Sequence, residues 1–308
     1  MRVQFEQSIY ELMKQNDRIL ALVADSGTGK YKEIQKEMPK RYFDFGIAEN
    51  TMISVAAGLA SEGWIPVVYA INNFLAYRSY EFIRNDICLD HRNVKIVGLG
   101  AGVIQNMQGP THHTLEDIAA LRAIPNLVLL SPGSPKEVKG ALEAAIAYDG
   151  PVYIRLAKAY ETEMFASDPP AFKIGGFNIP QEGSDITLIS TGSITGDVCI
   201  AAKTLQKENI SIQVININSL KPIDEKGILR EVRKTHKVIA VEEHNVYGGL
   251  GSIISEILAK SGEAYSFRMM GFADKFCLDY GWHQELKRMN GLSPEHIAEA
   301  CRSMYKGE

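Results

Sequence analysis

The sequence has no long apolar run, no excess of positive charge and no recognisable export signal. None of the apolar stretches in its 308 residues approaches the roughly 18 residues that a membrane-spanning helix requires. The first residues, MRVQFEQSIYELM, contain neither a long apolar segment nor a small-residue cleavage site. The formal net charge is −4 and the basic residues are scattered, which excludes a strongly basic surface for nucleic acid. We therefore expect a cytoplasmic protein that binds neither membranes nor nucleic acid.

Cysteine is scarce, and no two cysteines have a paired spacing. The four residues lie far apart, at Cys88, Cys199, Cys277 and Cys301. A zinc ribbon needs closely spaced pairs, so this spacing excludes one, and it disfavours a disulfide framework of the kind found in short secreted chains. We expect four buried thiols in a reducing compartment.

A self-contained phosphate-binding loop is also missing. Gly29-Lys30 follows the first predicted strand, but a P-loop needs an earlier glycine where the chain has Ala24, and a Ser or Thr where it has Tyr31. The segment YGGLGS, residues 247–252, follows a predicted strand and opens a helix. Its glycines are compatible either with an anion site at a helix N-terminus or with close packing of strand and helix.

Short β-branched runs alternate with helical patterns in two successive stretches of the chain. Continuous apolar strands separated by single helices indicate parallel sheets covered on both faces. Between the two stretches, the sequence is rich in Pro, Gly and polar residues and has no periodicity, which is typical of a linker. We predict an α/β protein of two consecutive three-layer domains, each with a mainly parallel sheet. The predicted bounds are 1–165 and 185–308, with a linker at 166–184.

Each predicted domain contains alternating strands and helices. In the first domain the strands are 18–25, 64–71, 94–99, 127–130 and 152–156, and the helices are 49–61, 74–87, 114–122 and 136–148. In the second domain the strands are 186–190, 212–217, 237–241 and 266–270, and the helices are 197–207, 226–235 and 250–261.

One carboxylate and one set of aromatic residues stand out between residues 44 and 86. Glu49 begins an otherwise apolar, small-residue helix, where a lone carboxylate commonly complements the helix dipole. Phe74, Tyr77 and Tyr80 recur at intervals of three, a spacing that places them on one face of a helix and is typical of core packing. By spacing alone, both features have ordinary structural explanations.

Several motifs together indicate a family. Gly46-Ile47-Ala48-Glu49, Gly58-Leu59-Ala60 and the three aromatic residues follow a pattern of glycine, glutamate, small-residue helix and aromatic helix. Residues 109–132 read GPTHHTLEDIAALRAIPNLVLLSP, and later segments read SLKPID and VEEHNVYGGLGSIISEIL. In this order, the motifs resemble the pyrimidine-binding and C-terminal domains of transketolase and of deoxyxylulose-phosphate synthase. The likeness covers nearly the whole chain.

The resemblance implies thiamine diphosphate as cofactor and assigns residues to it. Glu49 matches the family glutamate that hydrogen-bonds a pyrimidine nitrogen of the cofactor, and it must be protonated while it donates that bond. Phe74 and Tyr77, with Tyr80 at the edge, match the slot in which the pyrimidine ring stacks. Asp25 falls where the family has an aspartate beside the cofactor, although it could equally cap a following turn.

The resemblance also assigns substrate residues, with several departures from the family. His112 matches a histidine that faces the substrate and handles protons at the reacting carbonyl. Gln108 stands where transketolase reads a hydroxyl with an aspartate. The segment YIRLAK places two basic residues where the related synthases carry two arginines, and a third lies near another phosphate ligand of the family: Arg155, Lys158 and Arg2.

The loop after residue 99 departs most from the family. Transketolase has a histidine where this chain has Gly100, and deoxyxylulose-phosphate synthase has an arginine where it has Ala101. With neither residue present, we expect recognition of an acceptor phosphate to fall mainly to Lys158 and Arg155, with Arg2, and substrate choice to differ from that of transketolase.

The chain has no Gly-Asp-Gly motif, with which these enzymes hold the diphosphate and its metal. The resemblance therefore implies a separate N-terminal transketolase subunit that carries the diphosphate-binding domain and most ligands of a Mg or Ca ion. An α2β2 heterotetramer is expected. We predict a transferase, active only with this partner, that moves a two-carbon ketol unit between sugars or sugar phosphates.

Three other functions stay open at this point. The chain could be a split acyloin-forming enzyme similar to deoxyxylulose-phosphate synthase, or the β subunit of a 2-oxo acid dehydrogenase, which shares both domains. It could also be a non-catalytic partner subunit, although the retained Glu49, aromatic residues and His112 argue against an inactive pocket. The segment ALRAIPNLVLLSP and the double histidine at 112 and 113 favour transketolase.

Overall fold

The computed structural model describes residues 1–159, 161–165 and 167–308, which form two α/β units. The first unit contains the strands β1 Ile19–Val23, β2 Tyr42–Asp44, β3 Ile65–Ile71, β4 Lys95–Leu99, β5 Val128–Leu130 and β6 Val152–Leu156. Its helices are α1 Arg2–Gln15, α2 Tyr31–Glu37, α3 Glu49–Ser61, α4 Tyr80–Phe82, α5 Asp117–Arg122 and α6 Pro135–Ala147. Short 3₁₀ helices lie at Pro39–Arg41 and Asn106–Gln108, and π-helices at Phe74–Arg78 and Ile83–Leu89.

The second half of the chain contributes six further strands and five helices. The strands are β7 Asn178–Gln181, β8 Ile186–Thr191, β9 Ile212–Asn216, β10 Ser219–Lys221, β11 Lys237–Asn245 and β12 Ser266–Phe272. The helices are α7 Thr195–Gln206, α8 Glu225–Val232, α9 Leu250–Ser261, α10 His283–Met289 and α11 Pro294–Lys306, with a 3₁₀ turn at Gly192–Ile194.

Both sheets are mainly parallel, as the alternating pattern predicts. The first has seven strands in the order β10-β5-β6-β4-β3-β1-β2, and the second has five in the order β12-β11-β8-β9-β7. Among the strands of the described residues, only β10 against β5 and β7 against β9 pair antiparallel. The central strands β1, β4 and β6 are fully buried, which explains why they are mainly apolar, with Lys95 and Arg155 as exceptions. The prediction of two helix-covered, mainly parallel α/β units is confirmed.

The structure differs from the predicted elements where strands are short or lie at an edge. The sequence did not predict strands β2, β7 and β10, and it did not predict helices α1, α2, α10 and α11. Strand β7 lies inside the predicted linker and contains Pro180, which an edge strand tolerates because one side of its backbone has no strand partner. Strand β10 has three residues and crosses from the second half of the chain into the first sheet.

Helix α9 shows how the chain satisfies its own helix ends. The backbone N–H groups of Leu250 and Gly251 donate to the carboxylate of Glu242, at 2.6 and 2.8 Å. A Cβ at Gly249 would lie 2.0 Å from a Glu242 oxygen, so glycine is needed there for close approach. The segment that the sequence left open as an anion site therefore binds a carboxylate of the same protein.

The structure shows the state of the cysteines and the character of the helices. The four cysteines are free and buried, as expected from their spacing: Cys88, Cys199, Cys277 and Cys301. Across the described residues, no helix combines the length and the apolar character that crossing a bilayer would demand.

A buried carboxylate joins the two units. Glu137 on α6 accepts hydrogen bonds from the Gly133 N–H at 2.7 Å and from three side-chain amides that follow or belong to strands of the second half. These amides are Asn178 at 2.6 Å, Asn216 at 3.0 Å and Asn218 at 2.7 Å. Burial raises the pKa of Glu137, and the amide and backbone donors oppose that shift by stabilising the charged form. The cluster fixes α6 against the end of the second sheet.

We predict that Glu137→Gln lowers the free energy of unfolding by about 2–4 kcal/mol, since a neutral amide turns its own NH₂ toward donors that have no other acceptor. The matched control is Glu143→Gln on the exposed face of α6, for which we expect a change of about 0.5 kcal/mol or less. Urea denaturation followed by circular dichroism measures both. Equal midpoints for the two variants would contradict the role of this cluster.

Candidate active site

The carboxyl ends of three neighbouring strands bring the predicted cofactor residues together. Strands β3, β1 and β2 are adjacent in the sheet. Asp25 follows β1, Glu49 follows β2, and Phe74 follows β3. The side chains that follow parallel strands meet at one edge of the sheet, where α/β proteins commonly bind ligands. The sheet order thus places residues far apart in sequence at one location.

Glu49 is a buried carboxylate that pairs with the side chain of Arg78. It is the first residue of α3 and only 3% exposed. The turn into α3 depends on Gly46, whose φ of 59° suits glycine and whose N–H donates to Asp44 Oδ1 at 2.9 Å. Glu49 Oε2 accepts a hydrogen bond from Nη1 of Arg78 at 2.9 Å. Arg78 was not predicted from the sequence, where nothing connects it to Glu49.

The aromatic residues have different surroundings. Phe74 is half-buried, and its ring packs edge-on against His112 with centroids 5.2 Å apart. The Tyr77 hydroxyl donates to Glu116 Oε2 at 2.8 Å. The pKa of Tyr77 is raised, mainly by burial and also by the nearby carboxylates of Asp117 and Glu116. Tyr80 packs against the core of the first unit. Phe74 therefore contacts His112, Tyr77 contacts Glu116 and Tyr80 packs against the core, and their stacking against the cofactor stays a prediction.

The helix that carries these aromatic residues is irregular. Phe74–Arg78 is a π-helix, a form often found at functional sites because the wider turn re-aims side chains. Here it brings the Arg78 guanidinium over the Phe74 ring, with its central carbon 5.2 Å from the ring centroid. Spacing rules for an α-helix do not anticipate this contact.

The loop between β4 and α5 carries His112 into the same region. Its Nδ1 lies 3.0 Å from the Thr111 hydroxyl, and the Asn73 amide donates to the Thr111 carbonyl. The next residue, His113, is buried, and burial lowers its pKa. Within the described part of the chain, neither ring nitrogen of His113 has a hydrogen-bond partner.

His113 lines a cavity of about 240 Å³ between the units, together with residues from both of them. The other lining residues are Asn73, Tyr77, Pro110, Thr111, Leu115, Glu116, Phe276 and Cys277. The cavity adjoins the aromatic helix and the His112 loop. No pattern in the sequence connects residues near 276 with this loop, so this part of the site could not have been predicted.

Lys158 and Arg2 are two of the predicted substrate residues. Lys158 follows β6 and donates from Nζ to Gln105 Oε1 at 2.9 Å. Burial lowers the pKa of Lys158, and the positive charge of Arg2 lowers it further. Arg2 also pairs with Glu6 at 3.3 Å. These two basic residues could bind an anionic group of a substrate.

The loop after β4 shows why a histidine is absent at position 100. Gly100 has a φ of 95°, and a Cβ there would lie 2.9 Å from Nε2 of Gln105. The side chain of Gln105 thus fills the space into which a residue at position 100 would project.

Gln108, predicted to read a hydroxyl, ends a 3₁₀ turn and is exposed. Asp25 is exposed too, with a φ of 47°. The N-cap position of the next helix, α2, is Lys30 and not Asp25.

Arg155 is engaged elsewhere, contrary to its predicted role. Its Nε donates to Asp117 Oδ2 at 2.8 Å, and Nη2 donates to the carbonyls of Thr114 and Glu243 at 3.2 and 3.1 Å. The side chain is 4% exposed. Burial by itself would raise the pKa of Asp117, but the Arg155 guanidinium outweighs it and holds that pKa below its usual range. The structure therefore assigns Arg155 a structural role, because the interior location of β6 points it at Asp117.

The donor set fits one end of thiamine diphosphate. A buried carboxylate beside an aromatic ring suits an aminopyrimidine, which needs a hydrogen-bonding acid and a stacking surface. In residues 1–159, 161–165 and 167–308, no group of three or more His, Cys, Asp or Glu side chains could hold a metal ion. The side chains described above thus fit the pyrimidine end of the cofactor.

Two family models cover most of the chain. Residues 1–160 match the model described as transketolase, pyrimidine binding domain. Residues 175–297 match the model described as transketolase, C-terminal domain.

Individual proteins match over almost their whole length. An apulose-4-phosphate transketolase subunit from Actinobacillus succinogenes is 32% identical, over 93% of this chain and 92% of that protein. The 6-deoxy-6-sulfo-D-fructose transketolase subunit SqwH of Clostridium sp. is also 32% identical, over 99% and 94%. A solved structure described as a split gene transketolase, inactive beta4 tetramer, superposes with a TM-score of 0.88 at 33% identity, over 99% and 97% of the two chains.

We predict that Arg155→Gln lowers the free energy of unfolding by about 3–5 kcal/mol, because it leaves the Asp117 carboxylate buried without its counter-ion. Lys158→Gln, three residues away on a partly exposed side chain, is the matched control and should cost about 1 kcal/mol or less. Chemical denaturation of both variants measures the difference. A stable Arg155→Gln protein would restore the prediction that this arginine serves a substrate.

Proposed function

The chain belongs to the transketolase family, and from that premise we propose that it is the subunit of a split transketolase that binds the pyrimidine end of thiamine diphosphate. The observation that carries the proposal is the buried carboxylate of Glu49 at the start of α3. The side chain of Arg78 contacts both this carboxylate and the Phe74 ring. The reaction is the transfer of a two-carbon ketol unit between sugars or sugar phosphates.

The residues of this chain support that chemistry at stated atoms. When bound, the cofactor would supply the carbon nucleophile for the transfer. Glu49 in its protonated form donates a hydrogen bond to the pyrimidine nitrogen, and the rings of Phe74 and Tyr77 bound the slot. Asp25, at the end of β1, lies beside it. His112 on its loop handles the proton at the reacting carbonyl of the substrate.

A partner subunit supplies the remaining part of the site. Three apolar side chains in the segment on either side of Glu49 are exposed, with Ile47 at 73%, Phe43 at 41% and Val55 at 39%. Exposed apolar side chains in such a segment are compatible with a protein–protein interface. The relative solved as a tetramer of this subunit type is described as inactive. We propose that an N-terminal transketolase subunit covers these side chains, holds the diphosphate with Mg or Ca, and forms an α2β2 heterotetramer in the cytoplasm.

The substrate carries an anionic group. The names of two relatives specify a sugar phosphate and a sulfonated sugar, both with a strongly acidic substituent. In this chain Lys158, which donates a hydrogen bond to Gln105, and Arg2 provide positive charges. We propose that these basic residues bind the phosphate or sulfonate and that Gln108, a neutral donor and acceptor, contacts a hydroxyl.

We predict that Glu49→Gln in the complex with the partner lowers turnover by about 100- to 10,000-fold, since the amide cannot replace the acid in proton relay. Glu62→Gln, at the exposed C-terminal end of the same helix, is the matched control and should leave turnover unchanged. Turnover is measured with xylulose 5-phosphate and ribose 5-phosphate, after circular dichroism shows that both variants are folded. Near-normal activity of Glu49→Gln would remove this residue from the mechanism.

We predict that Lys158→Gln lowers kcat/KM for ribose 5-phosphate by about 10- to 150-fold, because a charge-assisted hydrogen bond to phosphate is lost. The value for unphosphorylated ribose should change little. Lys139→Gln, an exposed lysine on α6, serves as control. An equal loss with both sugars would show that Lys158 does not recognise the anionic group.

A further inference from the structure

Arg78 contacts both groups that the proposed function assigns to the cofactor's pyrimidine. Its Nη1 donates to Glu49 Oε2 at 2.9 Å, and its guanidinium carbon lies 5.2 Å from the centroid of the Phe74 ring. The Glu49 side chain is 4% exposed, whereas that of Arg78 is 47% exposed. The arginine thus reaches inward from the surface to a buried acid.

A guanidinium group and an aminopyrimidine satisfy these neighbours in similar ways. The guanidinium is flat and cationic, stacks on an aromatic face and donates hydrogen bonds in its own plane. An aminopyrimidine is also flat, stacks on aromatic side chains and hydrogen-bonds in its plane. Arg78 therefore contacts the two groups that an aminopyrimidine would also use, the carboxyl group of Glu49 and the ring of Phe74.

The two partners also need different protonation states of the same acid. Arg78 forms an ion pair, which requires the carboxylate of Glu49. A pyrimidine nitrogen accepts a hydrogen bond only from the protonated acid. The contact with Arg78 therefore favours the ionised form of Glu49 and opposes the protonated form that the cofactor needs.

We infer that Arg78 competes with the aminopyrimidine for Glu49 and Phe74 and swings out toward solvent when the cofactor binds; this inference rests on the proposed function. The movement is local, because within the described ranges the bond to Glu49 is the only side-chain hydrogen bond of Arg78. Until then, the arginine supplies a counter-ion for a carboxylate that would otherwise be buried unpaired. The cost of displacing it lowers the affinity for the cofactor.

The test measures cofactor affinity directly, by calorimetric titration of the complex with thiamine diphosphate and Mg²⁺. Arg78→Gln and Arg78→Ala should each lower the dissociation constant by about 5- to 30-fold, the combined worth of an ion pair whose arginine is half-exposed and a cation–π contact. Arg84→Gln, an exposed arginine farther along the same helical segment, is the matched control and should bind like the wild type.

The outcomes separate this inference from the proposed function. If the wild-type complex binds thiamine diphosphate and Glu49→Gln lowers turnover, but the Arg78 variants bind equally or more weakly, the competition is refuted and the function stands. Weaker binding in particular would mean that Arg78 remains in contact with the bound cofactor. If the wild-type complex does not bind thiamine diphosphate at all, both the inference and the proposed function fail.

Discussion

The buried ion pair between Asp117 and Arg155 connects the segments from which the site is built. Arg155 comes from the interior of the first sheet and Asp117 from the start of α5, and both are almost completely removed from solvent. Asp117 also accepts hydrogen bonds from Asn72, which precedes the aromatic helix, and from Tyr153. Arg155 in turn binds the backbone of Glu243 on β11. Because removing either charge would leave the other buried and unpaired, the pair fixes these elements relative to one another.

A second acidic residue holds the loop that carries His112 from the other side. Glu243 Oε1 accepts a hydrogen bond from the N–H of Val103 and lies 2.8 Å from a ring nitrogen of His283. A Cβ at Gly102 would lie 2.2 Å from the same oxygen, so glycine at 102 permits this approach. Burial by itself would raise the pKa of Glu243, but His283 and its neighbours outweigh burial and lower it to about 2. The carboxylate therefore stays charged at physiological pH, and through Val103 the second unit is bonded to the loop that carries His112.

Much of the fold follows from patterns that need no partner. Helix α3, helix α9 and strand β6 have the predicted bounds, because each carries its own signal in apolar spacing or in a buried β-branched run. Strand β10 carries no such signal: its three residues become a strand only because β5 offers an unpaired edge. The π-helix at Phe74–Arg78 also has no signal in the sequence, since the spacing of its aromatic residues fits an ordinary α-helix.

The sequence by itself determined which residues are chemically suited to the site. Glu49, Phe74 and His112 stand in motifs whose local order identifies the family, and the sheet brings them to one region. Tertiary structure alone decided how basic and polar side chains are used, as the internal position of Arg155, the contact of Gln105 with Gly100 and the pairing of Arg78 with Glu49 show. The physical reason is that the role of a charged side chain depends on which opposite charge lies within hydrogen-bonding distance. That distance is set by strands and loops far apart in sequence, and no local pattern records it.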